Sequence, residues 1–107
     1  MTQLNPRDGH IVLINTFKVK SGKAEALLAA LIKATETTVN KIPGFVSANF
    51  HVSLNGKQVV NYAQWRSKAD FDRAMQVPEF QAHMKEMFEL IESFDPVLYE
   101  LRYSHGA

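Results

Sequence analysis

The residues with chemistry to offer cluster in one short stretch of the chain. Asn49, His51, Asn61 and Trp65 lie on two runs, Phe45 to Leu54 and Lys57 to Arg66, that meet at Asn55-Gly56, a strong hairpin signal. Which of them share a face depends on the turn. A two-residue loop at Asn55-Gly56 pairs Phe50 with Asn61 and Val46 with Trp65, and turns His51 to the opposite side. A three-residue loop over Leu54-Asn55-Gly56, with Gly56 in the left-handed bulge position, pairs His51 with Val59, Asn49 with Asn61 and Phe45 with Trp65. In that second register Asn49, His51, Asn61 and Trp65 line one face, with Val46, Ala48, Phe50, Val52, Val60 and Tyr62 on the other. It sorts polar from apolar more cleanly, and is the register expected. Asn15, on an earlier strand, is a candidate to join the polar face. Amide, imidazole and indole groups converging between aromatics suit a binding pocket with a few hydrogen-bonding groups. The plainer alternative is that these polar strand residues face solvent or a subunit contact.

Other chemistries are thinly represented. His10, His51, His83 and His105 show no i,i+3 or i,i+4 spacing, so no metal site is expected. No cysteine is present, which removes disulfides, thiolate metal ligands and a thiol nucleophile. No GxSxG and no glycine-rich phosphate loop occurs. Met75, Met84 and Met87 read as core filler at helical spacing. Twelve Lys+Arg against eleven Asp+Glu leave a net charge of +1, which argues against a nucleic-acid partner. No signal-like or membrane-length apolar run appears, so no membrane association and a cytoplasmic location are expected.

The elements that must position these groups follow from periodicity. With 107 residues, 46% hydrophobic and 21% charged, the chain fits one globular domain. Residues 1–10 read as a flexible leader and residues 11–107 as the domain. Ile11 to Val19 is β-branched and aromatic, a first strand. Ser21 is a candidate cap for a helix over about 23–40, where Leu27, Leu28, Leu31, Ile32, Thr35 and Val39 recur on one face. Pro43-Gly44 ends it. After the hairpin, Ser67 to Asp70 resembles a capping box opening a short helix to about Gln76. Pro78 suits the first turn of a further helix, whose stripe is Phe80, Met84, Met87, Phe88 and Ile91. Asp95-Pro96 is expected to break it before a last strand from Val97 to Tyr103. The order is the split βαβ, ferredoxin-like α+β plan with a four-stranded antiparallel sheet. Apolar residues on both sides of the first and last strands (Leu13, Ile14, Leu98, Leu101) predict that a second copy covers the free sheet face, giving a homodimer.

Ile42-Pro43-Gly44-Phe45-Val46-Ser47-Ala48, Phe50-His51, Asn55-Gly56 and Val59-Val60-Asn61-Tyr62-Ala63-Gln64-Trp65 with Ser67 resemble the antibiotic biosynthesis monooxygenase (ABM) family, most closely its small anthrone-oxidising members. The likeness runs from Ile11 to Tyr103 and is densest from Ile42 to Ser67. It implies a dimeric α+β barrel and oxidation of a phenol, hydroquinone or anthrone by molecular oxygen, with neither metal nor flavin as cofactor. It implies Asn61, Trp65 and His51 as the catalytic set. The family's pocket tyrosine, six residues after the tryptophan, is Phe71 here, and its helix arginine is Met84. These two, with Asn15 and Asn49, are expected to contact substrate. Two alternatives stand beside this reading. One is a non-catalytic dimeric barrel that binds an apolar ligand. The other is the haem-degrading branch of the superfamily, whose strand-one asparagine matches Asn15, whose tryptophan falls on Ala74, and whose haem-ligand histidine falls on Met84, beside His83.

Overall fold

A computed structural model describes residues 9–106, so nearly all of the expected leader lies outside the described residues. Among the described residues, β1 (Ile11–Val19), β2 (Phe45–Val52), β3 (Gln58–Trp65) and β4 (Ile91–Glu100) form one antiparallel sheet in the order β2-β3-β1-β4. The helices are α1 (Ala24–Thr37), α2 (Lys68–Ala74) and α3 (Pro78–Phe88), with a 3₁₀ turn at Val39–Lys41. This is the ferredoxin-like α+β arrangement expected from the element order.

Local chemistry accounts for the element ends, with exceptions. Ser67 caps α2, its Oγ accepting from the Asp70 N–H at 3.1 Å, and Pro78 opens α3. Ser21 does not cap α1; the helix starts from Lys23 with no side-chain cap. The predicted 18-residue helix is shorter, because the chain tightens after Thr37 into the 3₁₀ turn.

The larger correction concerns the C-terminal third. The helix stops at Phe88, and Ile91 begins β4 rather than completing a helical stripe. Asp95-Pro96 breaks nothing, for Pro96 sits inside β4 opposite Asn15. The strand pairs only with β1, and an edge strand accommodates a residue without an N–H on its free side.

The hairpin register also differs from expectation. Phe50 pairs with Asn61, His51 with Val60 and Asn49 with Tyr62. Four residues, 54–57, bridge the strands: the Ser53 N–H donates to Gln58 O and the Gly56 N–H to Ser53 O, both at 2.9 Å, with Gly56 at φ 73°. Near its other end the pairing slips by one residue at Val46, so Phe45 lies opposite Trp65. Each of the two anticipated registers thus holds for part of the hairpin, joined by a bulge.

Side chains at alternate positions of each strand meet the helices. The core is in two clusters. One packs Phe17, Val19, Leu27, Leu31, Val59, Met87 and Ile91; the other packs Val39, Trp65 and Ala74. Leu27 and Val59 are fully buried, each contributing about 1.5–3 kcal/mol by leaving water.

Candidate active site

A cavity of about 400 Å³ lies against residues of both clusters, between sheet and helices. Its floor comes from alternate residues of four strands: Leu13, Asn15 and Phe17; Ala48 and Phe50; Asn61, Ala63 and Trp65; Phe94, Pro96 and Leu98. The small pair Ala48 and Ala63, neighbours across β2 and β3, leaves the room that larger side chains would fill. Phe71, Met75, Phe80, Met84 and Met87 roof it.

Asn15 and Asn61 face one another as register partners on β1 and β3. Such neighbours stand about 4.5–5.5 Å apart at Cβ, so both carboxamides serve one small volume. Their Oδ1 atoms are buried and have no hydrogen-bond partner. Native interiors rarely leave such groups unpaired, because the lost hydration costs about 1–3 kcal/mol each. Two together leave a pair of free acceptors in an otherwise apolar cavity.

Trp65 closes one end. Only 2% of it is exposed, and it meets Phe45 edge-on at 5.5 Å and Phe71 edge-on at 6.0 Å. The three rings fix one another, since each blocks the others' rotation. The loop before Phe45 is fixed too: Gly44 takes φ 92° and accepts from the Arg66 N–H at 2.8 Å.

The anticipated site residues therefore divide. Asn15, Asn61, Trp65, Phe71 and Met84 come together around the cavity. His51 and Asn49 do not join them: the observed register puts both on the opposite sheet face. His51 is exposed there, and Asn49 Nδ2 donates to Tyr62 O at 3.0 Å. The expectation that four polar hairpin residues share a face fails on this point. His83, considered beside Met84, meets Thr38 Oγ1 through Nε2 at 3.0 Å and is not among the cavity's lining, while Ala74 is a buried core residue. Sequence reasoning missed most of the aromatic and sulfur lining. Met75 and Met87 looked like filler, and Phe94 and Pro96 were hidden by the assumed helix break, although their period-two spacing with Leu98 marks one face of a strand.

Comparison with known proteins identifies the family and the fold. Residues 10–86 match the family model described as antibiotic biosynthesis monooxygenase. The tetracenomycin-F1 monooxygenase of Streptomyces glaucescens is 42% identical over 108 residues, covering all of this chain and 95% of that protein. Among solved structures, a variant of SnoaB, a cofactor-independent oxygenase from Streptomyces nogalater, aligns with TM-score 0.81 at 21% identity, over 90% of this chain and 96% of that one. The ActVA-Orf6 monooxygenase of Streptomyces coelicolor, solved with nanaomycin D, aligns with TM-score 0.80 at 24% identity, over 94% and 95%. These two share the fold; the family assignment rests on the sequence matches. With paired asparagines and a tryptophan around an apolar cavity, and with that family's sequence over most of its length, the chain belongs to the antibiotic biosynthesis monooxygenases.

Proposed function

We propose that this protein is a monooxygenase that oxidises a small aromatic phenol, hydroquinone or anthrone with molecular oxygen and without metal or flavin, as a homodimer. The observation that carries the reading is the pair of unpartnered carboxamides, Asn15 and Asn61, aimed into an apolar cavity beside Trp65. The carboxamide N–H groups and the indole N–H donate to a phenolate oxygen, while the carboxamide oxygens accept from a neighbouring hydroxyl. Charge spread from that oxygen onto the ring makes a ring carbon the site of attack on oxygen. One oxygen atom becomes the new ring carbonyl as the carbon–hydrogen bond and the O–O bond break, and the other leaves as hydroxide, taken up as water. The substrate supplies all four electrons. The protein's part is to hold the ring, keep water away and hydrogen-bond the anion. Phe71 and Met84 shape the cavity rather than move protons.

Support for a second copy comes from the other sheet face. Ile14, Val60, Tyr62, Val97 and Tyr99 lie together there, with Val97 and Tyr99 exposed. Purified protein is expected to consume oxygen with an anthrone or hydroquinone and to lose this in Asn61→Ala and Trp65→Phe variants that keep the parent's mass by light scattering. No oxygen uptake with any member of either class, together with unchanged Trp65 fluorescence, overturns the proposal. Fluorescence changes without turnover favour a second reading, a carrier of apolar ligands. The specific support for that reading is that Phe71 and Met84 offer neither hydroxyl nor charge.

A further inference from the structure

Among the described residues, every side chain lining the cavity is uncharged, and none of them exchanges a proton near neutral pH. Its polar members are Asn15, Asn61, the Trp65 indole and Thr35, whose hydroxyl already donates to Leu31 O at 2.8 Å. The titratable groups of the surrounding elements lie outside the lining. His83 of α3 meets Thr38, Asp70 of α2 is tied to Ser67 and Arg73, and His51 and Tyr62 occupy the far sheet face with Asp95, the register partner of Thr16. The remaining charges on α1 are exposed.

Among the described residues, charge is met at the entrance. Phe88, Phe94 and Pro96 are the exposed members of the lining, so the cavity opens between the end of α3 and β4. Phe88 also borders a shallow depression shared with Lys20, Lys85 and Glu89. Two cations and one anion therefore flank the way in.

We propose that the cavity takes its substrate already ionised, and so selects phenols and quinols whose hydroxyl is acidified by a conjugated carbonyl or similar group, with Lys20 and Lys85 drawing the anion to the mouth. This rests on the oxygenase reading above. The hydroxyl proton passes to bulk water before entry, the anion reacts with oxygen inside, and the hydroxide released is protonated outside. No step needs a protein base. Delocalising the charge over a conjugated carbonyl also lowers the cost of burying it.

The test has an arm with turnover and an arm without. For a series of hydroquinones and anthrones of graded acidity, the inflection of kcat/KM against pH is expected to move with each substrate's own pKa. An inflection fixed at one pH for all of them overturns the proposal, since it reports a group on the protein. In the second arm a hydroxyanthraquinone, which is already oxidised and whose anion differs in colour, is bound across the same pH range. The bound dye is expected to show the anion's spectrum, with affinity rising about tenfold per pH unit below the dye's pKa. Bound neutral dye overturns the proposal. This arm reports even if no oxygen is consumed, so failure of the oxygenase reading and failure of the selection remain distinguishable. Replacing both lysines (K20Q and K85Q) should lower kcat/KM severalfold at low salt, with the difference vanishing at high salt. Equal values at low salt remove the lysines from the proposal.

Discussion

Replacing Asn61 by leucine should stabilise the protein while disabling it. The Asn61 Oδ1 is buried without a partner, beside the equally unpartnered Oδ1 of Asn15. An unsatisfied buried polar group costs about 1–3 kcal/mol. Asn61→Leu removes that cost and adds apolar surface facing Leu13, Phe50 and Ala63, with the cavity of about 400 Å³ giving the slightly larger side chain room. The lower end, about 1 kcal/mol, is the expected gain. For a domain of this size that raises Tm by about 4–8 °C. Calorimetry and urea unfolding measure it; the midpoint should rise with the slope unchanged. Oxygen uptake on the same sample should fall by about 10²–10³, as for the loss of one donor to a developing anion. Asn15→Leu should behave alike, and the double variant should gain less than the sum because the two amides are neighbours. A lower Tm for both single variants would refute the idea that these amides are held at a cost for a ligand. Full turnover in Asn61→Leu would refute their role in it.

Three further outcomes test the scaffold. Gly44→Ala should lower the urea midpoint sharply, by about 2 kcal/mol or more, because φ 92° is strained for any side chain and the new Cβ would run into Asp70 at the start of α2. Ser67→Ala should cost about 1 kcal/mol by freeing the Asp70 N–H, with Ser67→Asn recovering most of it. Leu27→Ala, at a wholly buried position of α1, should cost about 2–5 kcal/mol and leave oxygen consumption per folded molecule within a few-fold of the parent, since Leu27 does not line the cavity.

The order of elements was legible because it rests on long periodic runs and on Ser67, Pro78 and Gly56, whose local roles hold whatever the tertiary context. Two things were not. Pro96 read as a helix breaker because proline is costly in helices and in central strands, but nothing local in the chain reveals that β4 lies at an edge. That one residue concealed a wall of the cavity. The hairpin register was misjudged for a related reason. Sorting polar from apolar assumes that the buried face is apolar, and Asn61 breaks that assumption by lying inside. His51 and Asn49, polar and outward, obey the ordinary rule. The pattern failed at the position the site uses, where local consistency is most often given up. The cavity's aromatic lining was unreadable in detail, since Phe45, Phe71 and Phe80 come together only through tertiary packing.

The bulge at Val46 bears on how this chain can change length. Were the ladder to run on from Ser47 opposite Gln64 without a bulge in a chain of the same length, Val46 would lie opposite Trp65 and Phe45 would turn to the outer face, leaving a ring-sized gap beside the tryptophan. Deleting Val46 would turn the bulge into regular pairing with Phe45 still opposite Trp65, and adding one residue between Leu54 and Lys57 would only enlarge a solvent-exposed turn. Changes in length among descendants of this sequence should accumulate at the turn, and at the bulge only in forms that keep Phe45 opposite Trp65.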